Sequence, residues 1–274
     1  MAITASIPVT VTAPSTTILY SNACSTVLPY PVADLGLHYP DPFVTTTMLA
    51  SQVGTANGSV SPYSANGTTN WPARTPVVLA DATSPTGASL RFHWDVAGTN
   101  GTPADRDQIR TMLIKGIGAQ QTLSFRARYR FPIGYTINTT NFIKKTMRFR
   151  RISGGDTPVG TLTIHQGRWN YVQELFGGAN HFSVGASNHP QVDNAWHTIE
   201  MLIDYSAQTS TTGTIYQDGV AVIGPLTLAN SAQPGGVWAN GATQVWLGDT
   251  YNEPEFNQDD YWRDTVVATG YIGV

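Results

Sequence analysis

Two stretches of the chain place arginine at every second residue: Phe125-Arg126-Ala127-Arg128-Tyr129-Arg130-Phe131 and Met147-Arg148-Phe149-Arg150-Arg151. Successive side chains of a strand point to opposite faces. Arg126, Arg128 and Arg130 therefore share one side, against Phe125, Ala127, Tyr129 and Phe131. Arg148 and Arg150 share a side against Met147 and Phe149. The matching alternation predicts one sheet face lined by all five arginines. Guanidinium forks fit carboxylate, sulfate or phosphate oxygens, so such a face suits an acidic glycan or an acidic protein surface. The competing expectation is internal pairing with acids such as Glu174, Asp249 or Glu253, or others up to Asp264, each pair worth up to about 1 kcal/mol. A third stretch, "TLTIHQGRWNYVQE" (161–174), holds His165, Trp169 and Tyr171. Trp169 and Tyr171 suit stacking on sugar rings, although aromatics near strand ends are more often core residues. His165, His181, His189 and His197 show no metal-ligand spacing, and neither a nucleophile elbow nor a phosphate loop occurs.

Strands must position these residues, because helical periodicity is almost absent. Short β-type runs alternate with Gly, Pro and Asn turns through most of the chain, which predicts a sandwich or barrel. "YQDGVAV" (216–222) puts Asp-Gly between two such runs, the strongest hairpin signal present. The one helix-like window is "PADRDQIRTMLIKGIG" (103–118), which opens on Pro and acids and closes on Gly. Phe125, Phe149, Ile164, Ile199, Leu202 or Ile203, Val222 and Val267 are the expected core. Residues 1–34 contain no Lys or Arg and are rich in Thr, Ser, Ala and Pro. They read as an extended N-terminal arm, a tail or a strand added to a neighbouring sheet edge. Residues 35–274 read as one domain.

Composition narrows the classes. Charged residues make up 12% of the 274, about half the usual share. The polar residues are mostly Thr, Ser, Asn and Gly. The net charge is −3, which does not favour a nucleic-acid partner. Thirteen of the fifteen basic residues fall between Arg91 and Arg168, and six of the eighteen acids between Asp249 and Asp264. Cys24 is the only cysteine, so no internal disulfide forms. No apolar run approaches the length of a membrane span, and no signal peptide is readable at the start. The four Asn-x-Ser/Thr sequons (Asn57, Asn66, Asn100, Asn138) are what chance gives in so Thr- and Asn-rich a chain.

The second half resembles the concanavalin A-like jelly-roll superfamily over roughly residues 85–274. The stretches that carry the likeness are "SLRFHW", "QTLSFRARYRF", "AWHTIEMLIDY" with "GTIYQDGVAVI", and the closing strand "YWRDTVVATGYIG". The last is commonly written with two acids before its Val run; here the first is Arg263 and only Asp264 remains. The resemblance implies an all-β, two-sheet antiparallel sandwich, a fold that hosts enzymes, lectins and inert modules alike. Laminarinase-like glycosidases of this fold carry an E-x-D-x-x-E pattern for paired carboxylate chemistry, and that pattern is absent. Jelly-roll alginate lyases use Arg-x-Glu-Leu-Arg, Gln-Ile-His and a late Tyr-Asn. The matches here are Arg126, His165 and Tyr251, with the Glu replaced by Arg128, the Gln by Thr163, and Leu247 where a Lys stands. Such jelly rolls often hold one structural Ca²⁺ through an acid of the last strand, and Asp264 is the match; no other cofactor is implied.

Three functions remain open. The leading one is a non-catalytic binding or structural protein on a virion surface, a capsid decoration or tail-attached module of a bacteriophage. It would be made in the cytoplasm without a signal peptide. Its partners would be capsid or tail proteins, or copies of itself through the arm. The second is a polysaccharide lyase acting on an acidic polysaccharide through Arg126, His165 and Tyr251. The third is an extracellular lectin-like carbohydrate-binding protein. On the binding readings Arg126, Arg128, Arg130, Arg148, Arg150, His165, Trp169 and Tyr171 line the site. None calls for nucleic acid or a membrane.

Overall fold

A computed structural model describes residues 16–22, 77–94, 113–120, 122–137, 143–151, 157–174, 181–185, 189–204, 206, 210–229, 242–250 and 258–274. Their regular elements are fourteen strands: β1 (Ile18–Asn22), β2 (Val77–Ala80), β3 (Ala88–Trp94), β4 (Leu113–Gln120), β5 (Thr122–Arg130), β6 (Ile143–Arg151), β7 (Thr157–His165), β8 (Arg168–Glu174), β9 (His181–Gly185), β10 (His197–Asp204), β11 (Ser210–Gln217), β12 (Val220–Ala229), β13 (Ala242–Thr250) and β14 (Gln258–Ala268). Among the described residues no helix is long and apolar enough to cross a membrane.

The strands form two antiparallel sheets. The eight-stranded sheet runs β12-β11-β10-β5-β14-β3-β2, with β1 paired to β14 beside this path. The six-stranded sheet runs β4-β13-β6-β7-β8-β9. The chain is thus all-β, a two-sheet antiparallel sandwich, the one of the two architectures left by the alternating runs that the resemblance implies. Phe125, Ala127 and Tyr129 of β5 and Phe131 just after it, with Ile199, Met201 and Ile203 of β10, face Met147 and Phe149 of β6 and Leu162 and Ile164 of β7; all are at most 1% exposed. Rings meet across the layer: Phe125 and Phe149 centroids lie 6.3 Å apart, Tyr129 and Trp169 5.5 Å. Of the expected core, Ile203 takes the inner position rather than Leu202, and Val222 packs against the core from a partly buried place.

One expectation changes over its described part. Of the window 103–118, which reads as a short helix or turn, residues 113–118 belong to strand β4, paired with β13, and residues 103–112 lie outside the described residues. Its partner strand overrides the local signal, as tertiary context often does. Within the 1–34 arm, Ile18–Asn22 pairs with β14; the run 3–14 that suggested an edge strand or a tail lies outside the described residues. Thr269 N–H donates to Thr17 C=O at 3.0 Å, and Thr17 N–H to Thr269 Oγ1 at 3.0 Å.

Candidate functional site

The arginine rows do not share a face. β5 belongs to the eight-stranded sheet and β6 to the six-stranded one. Both turn their apolar sides inward, so Arg126, Arg128 and Arg130 point away from the core on one outer face and Arg148 on the opposite one. The single five-arginine face is thereby corrected: alternation fixes which side of a strand is polar, not which sheet holds the strand. Arg150 has its backbone in β6, in register with Gln244 and Pro158; its side chain lies outside the described set.

On the eight-stranded face each β5 arginine has a partner within the chain. Arg130 is 8% exposed. Its Nη2 donates to Asp81 Oδ2 at 2.8 Å and its Nη1 to Asn194 Oδ1 at 2.7 Å. Its guanidinium lies 4.1 Å from the Tyr261 ring centroid and 5.4 Å from that of Trp196. Burial opposes ionisation of Asp81, but hydrogen bonds from Thr83, Ser89 and Arg130 outweigh it and hold the carboxyl at about 2. Arg128 Nε lies 3.6 Å from Asp264 Oδ2. Arg126 Nη1 donates to Gly273 C=O at 2.8 Å. Beside it Glu200, 1% exposed, accepts N–H bonds from Ile272 at 2.8 Å and Gly273 at 3.1 Å, and the Ser124 hydroxyl bond. Burial raises the pKa of Glu200 against the pull of these donors. The sorting of charge along the sequence is in part a pairing in space: Arg91 meets Asp259 at 3.9 Å and Arg128 meets Asp264.

The six-stranded sheet carries a different outer face. Arg148 stands opposite Thr161, and Thr163 opposite Asn170, so guanidinium, hydroxyls and amide lie on adjacent strands. Arg148 is 3% exposed, and Thr161, Thr163 and Asn170 are also buried. Thr163 Oγ1 donates to Asn170 C=O at 3.2 Å. The Thr161 Oγ1 is buried and finds no hydrogen-bond partner among the described residues. At the end of this face His165 is half-buried and Arg168 exposed.

Several expected site residues are elsewhere. Trp169 and Tyr171 are fully buried. Trp169 Nε1 donates to Gln217 Oε1 at 2.6 Å, and Tyr171 packs across to Gly213 of the other sheet. Neither offers a stacking face, which corrects their sugar-binding role. They share a parity on β8, with Arg168 and Asn170 on the other, so the alternation does hold the signal for their burial. Of the lyase constellation, Arg126 and His165 occupy opposite outer faces of the sandwich, and Tyr251 lies outside the described residues. Arg126 and His165 cannot act on one uronate together. Asp264 gives Oδ2 to Arg263 Nε at 2.9 Å and Nη2 at 2.7 Å. Calcium needs several oxygen ligands, and this carboxylate faces two guanidinium groups, so the calcium expectation does not fit. Among the described residues no group of three or more His, Cys, Asp or Glu stands together as a metal site.

The sequence did not single out His197 as more than structural. Its ring nitrogens meet Asp218 Oδ2 at 2.8 Å and Asp193 Oδ1 at 3.0 Å. Burial lowers its pKa, but the two carboxylates outweigh burial and the net shift is upward. Since both nitrogens face acceptors, the geometry suits the doubly protonated ring.

No protein-family model matches the chain, and no curated protein matches it. Among solved structures it is similar to the endo-β-1,4-glucuronan lyase of the fungus Trichoderma reesei, with 13% identity, a TM-score of 0.49, and coverage of 71% of this chain and 87% of that one. It is also similar to the botulinum neurotoxin serotype D ligand-binding domain in complex with N-acetylneuraminic acid (9% identity, TM-score 0.45) and to the botulinum neurotoxin type G receptor-binding domain (11% identity, TM-score 0.43). The match covers 73% of this chain in both cases but spans only 44% of either toxin structure.

Proposed function

We propose that the chain is a non-catalytic carbohydrate-binding sandwich whose binding surface is the polar outer face of the six-stranded sheet. The observation that supports this is the Arg148–Thr161 pair beside Thr163–Asn170, with a buried Thr161 hydroxyl that has no partner among the described residues. A buried unpaired hydroxyl costs about 1–3 kcal/mol, and a ligand oxygen is one way to recover it. A guanidinium among hydroxyls and an amide fits a uronate-bearing polysaccharide, carboxylate on Arg148 and ring hydroxyls on the Thr row, provided that binding displaces what keeps these side chains at most 7% exposed. The separation of Arg126 from His165 favours binding over lyase chemistry.

The test is Thr161→Val, nearly the same shape without the oxygen. Its melting temperature stays level or rises, while affinity for a uronate polymer such as glucuronan or alginate, read by calorimetric titration, falls several-fold. Unchanged affinity removes this face from the reading. Incubating the unmutated protein with the same polymers is expected to release no C4–C5 unsaturated product; a clear rise in its ultraviolet absorbance makes the chain a lyase.

For its setting we propose a virion surface, with capsid or tail proteins as partners. Support comes from composition: a weakly charged, Thr-, Ser-, Asn- and Gly-rich chain with one cysteine. Immunogold labelling of purified particles tests this, and label found only on free protein overturns it.

A further inference from the structure

We infer that Arg263 is a built-in cation, holding with its own guanidinium the junction at which a bound divalent ion would otherwise be expected. The junction lies on the eight-stranded face, where the β5–β14 register shifts between Arg263 and Val266 and Asp264 takes a left-handed φ of 47°. Arg263 is 4% exposed. It reaches three segments at once. Nε and Nη2 clamp Asp264 Oδ2 within β14. Nη1 donates to Ser84 Oγ at 2.8 Å in the turn that follows β2. Its guanidinium carbon lies 5.5 Å from the Trp196 ring centroid, and Trp196 Nε1 donates to Thr83 C=O at 3.1 Å, tying the loop before β10 to the same turn. Arg128 reaches the same Asp264 oxygen at 3.6 Å.

The charge logic is that of an ion site with the ion replaced. The Asp264 carboxylate and the Ser84 hydroxyl, which Arg263 bonds, are oxygen donors of the kind a hard cation gathers. A guanidinium satisfies such oxygens with directional hydrogen bonds, keeps its charge at any working pH, and cannot be removed by a chelator. The chain's stability is therefore independent of divalent ions, and it becomes dependent on them once the guanidinium gives way to oxygen ligands.

Three proteins test this by thermal melts in calcium and in chelator: the unmutated chain, Arg263→Asp and Arg263→Gly. The unmutated chain is expected to melt at the same temperature in both buffers. Arg263→Asp is expected to melt several degrees lower in chelator and to recover part of the loss in calcium. Arg263→Gly is expected to be insensitive to calcium and to be raised by low-millimolar methylguanidinium beyond any effect of that ion on the unmutated chain. A calcium-dependent melt of the unmutated chain overturns the inference. So does an Arg263→Asp variant that folds without responding to calcium, because Arg263 is then a hydrogen-bonding staple only. Should Arg263→Asp not fold in either buffer, the Arg263→Gly melt decides, and absence of rescue overturns it.

Discussion

Arg130 is the residue on which the eight-stranded face turns. It is inserted between two aromatic rings and bound to a carboxylate that is itself nearly closed to solvent. Replacing one partner of a buried pair leaves the other charge unpaired and costs about 3–5 kcal/mol. Arg130→Met is accordingly expected to lower the unfolding free energy, read from urea denaturation, by about 3 kcal/mol. Arg128→Ala, whose side chain is far more exposed, should change it little. His197 gives a pH signature of opposite sense to the usual carboxylate. Its folded pKa is raised, so the folded state binds more protons than the unfolded one. Its contribution is complete below about pH 6.5 and disappears as pH rises through the folded value. Melting temperature should decline across that window, and His197→Gln should flatten the decline. The placement of these side chains was half legible in the sequence. The alternation that puts Trp169 and Tyr171 opposite Asn170 marks them as inward, whereas nothing local shows that Arg130 would find Asp81, 49 positions away.

At the level of elements, the two sheets interlock through glycines. A Cβ on Gly213 of β11 would lie 2.8 Å from Tyr171 Cε1 and 2.9 Å from its Cζ. A Cβ on Gly160 of β7 would press on the Ile203 Cδ1 more closely still. The second clash is at the end of a flexible chain, and the first is against a rigid, fully buried ring. Gly213→Ala is therefore expected to destabilise by about 1–3 kcal/mol, the range for an overpacked core, and to cost more than Gly160→Ala despite the wider contact. Chemical denaturation of the two variants checks the order. The β11–β12 hairpin was legible outright: Asp218 and Gly219 take φ of 50° and 78°, the left-handed pair that Asp-Gly supplies in a two-residue turn. β4 was not, because its helix-like ends are local and its pairing with β13 spans more than a hundred residues. The allocation of β5 and β6 to different sheets was hidden for the same reason, since alternation is a property of one strand and sheet membership a property of its neighbours.

For the whole molecule, the resemblance of the second half implied the layered antiparallel sandwich, and the pairing of all fourteen strands bears this out. Far-ultraviolet circular dichroism should show a β-dominated spectrum, with less than about a tenth of residues helical. One feature of this layout bears on load. β1 lies antiparallel to β14, with Ile18 opposite Ala268 and Asn22 opposite Thr265. Traction applied from the segment before Ile18 and the segment after Ala268 enters this pair at the same end. The backbone bonds then meet the force in turn, as the teeth of a zipper do, rather than all together in shear. In a single-molecule pulling experiment from these two points, β1 should peel from β14 at low force, well before the sandwich ruptures. Anchoring the same molecule through the Asp218–Gly219 turn instead leaves β1 unloaded, and the early low-force step should vanish.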